Sequence, residues 1–355
     1  MLNNISRRSV TTFQIAATYV GTVVGAGFAS GQEVLQFFGY FRIQGGLGLV
    51  FAGALFAYFG YTMLEIGRRI PSASHVQVIR RATGGLYPLV DLIITFFLFG
   101  GLTAMIAGSG AIFVEQFGLP FAAGGLVMAG LTTITVLWGL EGVITAISLF
   151  VPVLLTSVGL LTLASLVRFG LNLQLVASAL SPASAPVRSL PLSSVVYVSY
   201  NLLLTAAVLA PVGAAANSKQ KNMRGAILGG IGLALGALAI HLSVLSNLPE
   251  VLDYEVPMAF IAARFGDVPK LLFGIVLLGE IYTTAVANLY GFSARAQDPA
   301  RPGFKIAAIL VALAAFVASR FGFSAVVRTV YPVAGYAGLL LMLGLLVSST
   351  RRNIR

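Results

Sequence analysis

Residues 12–40 read TFQIAATYVGTVVGAGFASGQEVLQFFGY, an apolar run long enough to cross a bilayer, interrupted from Gly25 to Glu33 by GAGFASGQE. Gly25, Gly27 and Gly31 fall close together, and each weakens a helix by about 1 kcal/mol relative to alanine. Ser30, Gln32 and Glu33 add polar groups beside them. A helix that breaks here frees N–H and C=O groups that hydrocarbon cannot satisfy. Irregular backbone at this depth is therefore expected only where protein encloses a cavity. The string predicts a membrane fold and, within it, the place where a ligand is held. A nucleotide-binding glycine loop is excluded, because no strand precedes the string and no Lys-Ser/Thr follows it.

Working outward, 58% of the 355 residues are hydrophobic and 9% charged, against roughly 25% charge in a soluble domain. A water-soluble globule is excluded. Further apolar runs lie near 46–67, 88–114, 121–139 and 143–167, then near 194–216, 223–247, 268–294, 304–319 and 326–349. The expected fold class is all-α, a polytopic membrane protein with ten transmembrane helices. The absence of cysteine excludes disulfides, thiolate metal sites, Cys nucleophiles and iron–sulfur ligation.

The net charge of +11 does not point to nucleic acid, which needs a soluble basic face. The basic residues sit in short runs between spans instead. With the N-terminus inside, Arg42, Arg168, Arg188, Arg264, Lys270, Arg320 and Arg328 lie outside, and the other 15 of the 22 Lys and Arg lie inside. Both ends are therefore expected in the cytoplasm. The opening SRRSVTTFQIAATYVG has the outline of a twin-arginine or secretory signal, but nine further spans commit the chain to the bilayer and make it the first span.

Divided after the fifth span, the chain gives one half at 1–170, an external linker at 171–192 and a second half at 193–355. Five spans per half means that the second enters from the opposite side, so the repeat is inverted. Span 6 reads SSVVYVSYNLLLTAAVLAPVGAAAN, with Ser199, Tyr200, Asn201 and Pro211 as its irregular features. A second discontinuity is expected at Tyr200–Asn201 or at Ala210–Pro211. Gly21-xxx-Gly25 and Gly225-xxx-Gly229 read as close helix packing.

A carboxyl in the bilayer interior costs at least about 2.5 kcal/mol, which makes Glu33 and Glu280 functional candidates. Glu280, Thr283 and Thr284 stand at i, i+3 and i+4 on one helical face, with Asn288 a turn on. They offer hard oxygen ligands for a small cation or a proton; the structural alternative for the threonines is bonding back to their own helix. His241 reads as a packed histidine, and Glu65, Asp91, Glu115 and Glu141 as groups at span ends. Phe28 is a candidate lid over a solute. Glu33 with Arg328 outside, and Arg7 or Arg8 with Asp298 inside, are candidate gate pairs.

At GAGFASGQE, YVSYN and GEIYTT the chain resembles the YkvI-like bacterial membrane proteins of the amino acid, polyamine and organocation transporter superfamily. The resemblance implies the five-plus-five inverted repeat of the neurotransmitter-sodium-symporter type in the cytoplasmic membrane, with helices 1 and 6 broken around a central site. It also implies a sodium held by the carbonyls of Gly21 and Val24 with Thr283 and Thr284. Glu280 stands where sodium-coupled members carry a small residue, which leaves a titrating carboxyl as the alternative.

The expected function is secondary active transport of a small solute, an amino acid or related zwitterion. Gly25, Gly27, Phe28, Ser30, Gly31, Gln32, Glu33, Tyr200 and Asn201 would bind it, and Ser30, Gly31 and Gln32 would cradle its carboxylate. Sodium or a proton would couple. No organic cofactor and no catalytic residue is expected: the chain has no HExxH and only His75 and His241 as histidines. The rivals are a sensor that binds without moving its ligand and a channel, which needs a polar stripe that no span supplies.

Overall fold

The computed structural model describes residues 10–69, 83–138, 141–216, 218–297 and 301–350. Its first pass is three helices. Helix α1 (Thr12–Val23) starts at a capping box: the Thr11 side chain accepts from the Gln14 N–H, and the Gln14 side chain accepts from the Thr11 N–H. It stops at Val24 and Gly25, both extended (φ −73°, ψ 96° and φ −117°, ψ −172°). A single turn follows, α2 (Ala26–Ala29), and then Gly31 at φ +82°, a left-handed conformation that favours glycine. Helix α3 (Gln32–Phe37) completes the pass.

The passes that follow are α4 (Gly45–Arg69), α5 (Tyr87–Phe117), α6 (Phe121–Trp138) and α7 (Glu141–Phe169). After a short surface helix α8 (Leu173–Ala179) come α9 (Leu190–Ala216) and α10 (Lys219–Ser246). The short helix α11 (Pro257–Ala263) precedes α12 (Asp267–Ala296), α13 (Gly303–Ala318) and α14 (Phe323–Thr350). There is no strand among the described residues. By length and apolarity 6 of these helices can cross a membrane, or up to 8 with two bent pairs, which is consistent with the ten-pass frame. Outward-facing side chains such as Leu235, Leu272 and Val317 are apolar and largely exposed, as lipid permits and water does not.

Helices α1, α4, α9 and α10 pack into one bundle, while α5 and α12 form the centre of a second group with α6, α7 and α13; α14 bridges α5 and α9. Backbones approach closely in the first bundle. A β-carbon on Gly67 would stand 2.0 Å from the Ala210 carbonyl oxygen, and one on Gly213 2.0 Å from that of Leu64, locking α4 against α9. Helix α9 bends by 64° between Leu190–Ala206 and Val208–Ala216. Pro211 has no N–H for the carbonyl four residues earlier, at 207, so the ladder lacks a bond where the helix bends. Of the two positions open from sequence, the proline accounts for the break, and Tyr200–Asn201 lies within regular helix.

The segment around α11 is seated from three sides. The Glu115 carboxylate of α5 accepts the N–H groups of Glu255 (2.7 Å) and Val256 (3.3 Å). Glu255 in turn accepts those of Phe323 (2.5 Å) and Ser324 (3.3 Å) at the start of α14. The Met258 N–H donates to the Ser30 carbonyl at 2.9 Å, so α11 rests on the broken first pass.

Candidate functional site

The last bond of the α1 ladder runs from the Val24 N–H to the Val20 carbonyl at 2.8 Å. The carbonyls of Gly21, Thr22, Val23 and Val24 come after it and have left the ladder. The first bond of α2 runs from Ala29 to the Gly25 carbonyl at 2.9 Å, so the N–H groups of Gly25, Ala26 and Gly27 also precede a ladder. Helix α12 closes over this gap. Thr284 Oγ1 lies 3.3 Å from where a Gly25 β-carbon would stand. One turn earlier Glu280 is buried, and its Oε1 has no hydrogen-bond partner.

The four polar residues of α12 divide. Thr284 meets the break, whereas Thr283 donates to the Glu280 carbonyl of its own helix at 3.0 Å. Asn288 turns to α5, its Nδ2 lying 2.7 Å from a β-carbon placed on Gly101. Gly21 and Val24 are the first and last of the four freed carbonyls.

On the far side of α2, Tyr200 Oη of α9 donates to Glu33 Oε2 at 2.5 Å, both residues being buried. The carboxylate folds back over α2: a β-carbon on Gly27 would come within 1.9 Å of Glu33 Oε1. Four rings surround Tyr200, those of Phe37, Phe97 and Tyr197 at 5.6 Å and Tyr331 at 5.2 Å, drawn from α3, α5, α9 and α14. The Tyr197 hydroxyl is buried without a partner. Sequence reading passed over Tyr197, Tyr331, Phe37 and Phe97. Only Tyr197 left a signal, three residues before Tyr200 on the same face of YVSYN.

Several expected ligand contacts are spent elsewhere. The Ser30 N–H donates to Ala26, the Gly31 N–H to Phe28 and the Gln32 N–H to Ser30 Oγ, so these three do not form an open anion cradle. Ser30 Oγ donates to the Gly27 carbonyl at 2.8 Å, and Gly31 packs on Met258, Ile240 and Pro257. The released N–H groups belong to Gly25, Ala26 and Gly27, one turn earlier. Asn201 donates to the Tyr197 carbonyl of its own helix at 3.0 Å. The Phe28 ring tip seats against Gly236 of α10, a packing role in place of a lid. Gln32 is buried with an unpartnered Oε1.

The outer gate pair is not formed in this conformation: Glu33 is held by Tyr200, and the exposed Arg328 donates to the Ser184 carbonyl at 3.0 Å. Arg8 and Asp298, the inner pair, lie outside the described residues, as do Arg7 and His75. Near that end Arg295 of α12 pairs with Asp91 of α5, one of the groups that the sequence puts at span ends. His241 is buried against the Arg42 carbonyl at 3.0 Å, a packed histidine as expected. Among the described residues no three His, Cys, Asp or Glu side chains gather as a metal cage.

No family model matches the chain. It is 32% identical to the uncharacterized membrane protein YkvI of Bacillus subtilis across 96% of both chains. It is 29% identical to the uncharacterized protein YyaD of the same organism, across 92% of this chain and 94% of that one. Among solved structures it resembles MhsT in complex with L-phenylalanine (TM-score 0.65, 17% identity, 93% of this chain and 87% of that one). It also resembles Mhp1, a nucleobase-cation-symport-1 family transporter (0.62, 15%, 95% and 78%), and a Na+-coupled sialic acid symporter (0.59, 12%, 95% and 79%). At these identities the likeness is one of fold.

Proposed function

The chain belongs to the family of the Bacillus subtilis membrane protein YkvI and folds as cation-coupled symporters do, and on that footing we propose that it is a secondary transporter of a small organic solute, an amino acid or related zwitterion. One observation carries the reading: the unwound Val24–Gly25 backbone lies between two elements that present buried carboxyls, α12 with Glu280 and α3 with Glu33. Unsatisfied backbone at bilayer depth is costly, so a ligand that satisfies it accounts for its presence.

In this reading the N–H groups of Gly25, Ala26 and Gly27 receive the solute's carboxylate, and Glu33, fixed by Tyr200, faces its ammonium. The coupling cation sits between the carbonyls of Gly21 and Val24 and the Thr284 hydroxyl, hard oxygen donors that suit sodium. Glu280 supports proton coupling as a second reading, because its buried Oε1 lacks a partner. Alternating access comes from rocking of α1, α4, α9 and α10 against the remaining helices, which changes the side from which the break is reached. The two repeats, 1–170 and 193–355 joined by 171–192, form one membrane domain in a bacterial cytoplasmic membrane with both ends in the cytoplasm.

The test is thermal stabilisation of the purified protein by a panel of amino acids, nucleobases and betaines, with and without sodium at two pH values. Counterflow of the best stabiliser in proteoliposomes follows. Saturable exchange supports a carrier; binding without exchange makes the protein a sensor and refutes the proposal.

A further inference from the structure

A polar cavity lies away from the break, where residues 170–189 and 247–266 connect their spans. Its volume is about 180 Å³, and its lining includes Phe169 at the end of α7, Asn172, Ser246 at the end of α10, Glu250 and Arg264. Arg264 is held rigidly. Its guanidinium stacks on the Phe169 ring at 3.8 Å from the centroid, and its Nη1 donates to Asn247 Oδ1 at 2.9 Å. Asn247 is buried and is itself fixed, its Nδ2 donating to the Ser243 carbonyl at 2.8 Å. Of the five N–H donors of the guanidinium, the Asn247 bond uses one.

Glu250 is exposed at the same cavity, yet no ion pair joins it to Arg264 among the described residues. Two opposite charges thus share a small cavity without meeting. A fixed guanidinium takes a carboxylate in two-point fashion, and a free carboxylate takes an ammonium. We propose that this cavity is a second binding site, separate from the break, for a small zwitterion whose carboxylate meets Arg264 and whose ammonium meets Glu250. Arg168, which donates to the Arg264 carbonyl at 3.2 Å, adds positive charge beside the carboxylate end. Arg264 also caps α11, the helix whose Met258 N–H rests on Ser30, so an occupant of the cavity bears on the element that covers the broken pass.

The experiment is calorimetric titration of the full chain in lipid nanodiscs with glycine as probe, and with acetate, methylamine and inorganic phosphate as partial probes. It is run on the wild type, on Glu33→Gln to disable the central site, and on Arg264→Gln and Glu250→Gln. The expected result is that Glu33→Gln still binds glycine, and that Arg264→Gln or Glu250→Gln, each added to it, weakens that binding by about tenfold or more. Acetate should depend on Arg264 alone. Glu250 is exposed, so its variant reports on the site without threatening the fold. The proposal is overturned if both cavity variants keep the parent's glycine isotherm, if Glu33→Gln alone abolishes glycine binding, or if phosphate displaces glycine as well from the wild type as from Glu250→Gln. Because the readout is binding in a variant disabled at the break, its failure is separate from failure of the transport reading.

Discussion

Replacing Gly27 by alanine puts the relation between the broken helix and Glu33 to a quantitative test. The added methyl would lie 1.9 Å from Glu33 Oε1 and 2.8 Å from its carboxyl carbon, whereas ordinary contact begins at 3.4 Å. The oxygen must retreat by about 1.5 Å. The atoms in the way are the end of a flexible side chain, so the fold can absorb the methyl; the 2.5 Å bond from Tyr200 cannot survive the move. A buried hydrogen bond to a carboxyl is worth about 1.5–3 kcal/mol, and where solute binding has to restore the Glu33 position that this bond holds, that energy is lost as roughly 10- to 150-fold in affinity. The assay is counterflow in proteoliposomes, beside the melting temperature of the same preparation. Gly27→Ala is expected to melt within a few degrees of wild type and to lose one to two decades of apparent affinity. Adding Tyr200→Phe should cost little more, since both changes act on one bond. Wild-type exchange by Gly27→Ala, or full additivity of the pair, would refute the reasoning.

Other substitutions separate the packing of the bundle from the chemistry of its centre. Gly67→Ala drives a methyl into the Ala210 carbonyl, a backbone atom that cannot step aside, and should cost about 1–3 kcal/mol, read as a lower melting temperature and a reduced folded yield. Thr284→Ala removes the hydroxyl at the break and should abolish stabilisation by sodium while solute binding without sodium persists; an undiminished sodium response places the cation elsewhere. Glu280→Gln distinguishes the two coupling modes: if the carboxyl carries the proton, uphill uptake collapses while exchange survives, and unchanged proton-driven accumulation removes it from the coupling path.

How much the chain disclosed in advance depends on whether a signal is local. The break at Val24–Gly25 was legible because glycines and polar residues inside an apolar run contradict the helix on the spot. The same residues misled at finer scale. Ser30 stands out as a ligand by its polarity, but a short polar group beside a broken helix satisfies the local backbone first, and here its hydroxyl bonds the Gly27 carbonyl and the Gln32 N–H. Hydropathy reports depth and says nothing of partners. It therefore placed Asp91 and Glu115 at span ends without revealing that one meets Arg295 and the other clasps the loop before α11. The rings of Phe97 and Tyr331 around Tyr200 join spans 3, 6 and 10, a relation set by helix packing that no pattern within one span records.

The absence of cysteine makes one measurement especially direct. A single cysteine at Ala26, buried just beyond the break, can be probed with a membrane-impermeant thiol reagent from either face of a vesicle. The account predicts labelling from both faces, with the balance shifted by the coupling cation and labelling suppressed by the transported solute. A residue that reacts from one face only under every ionic condition, and that no solute protects, would contradict it.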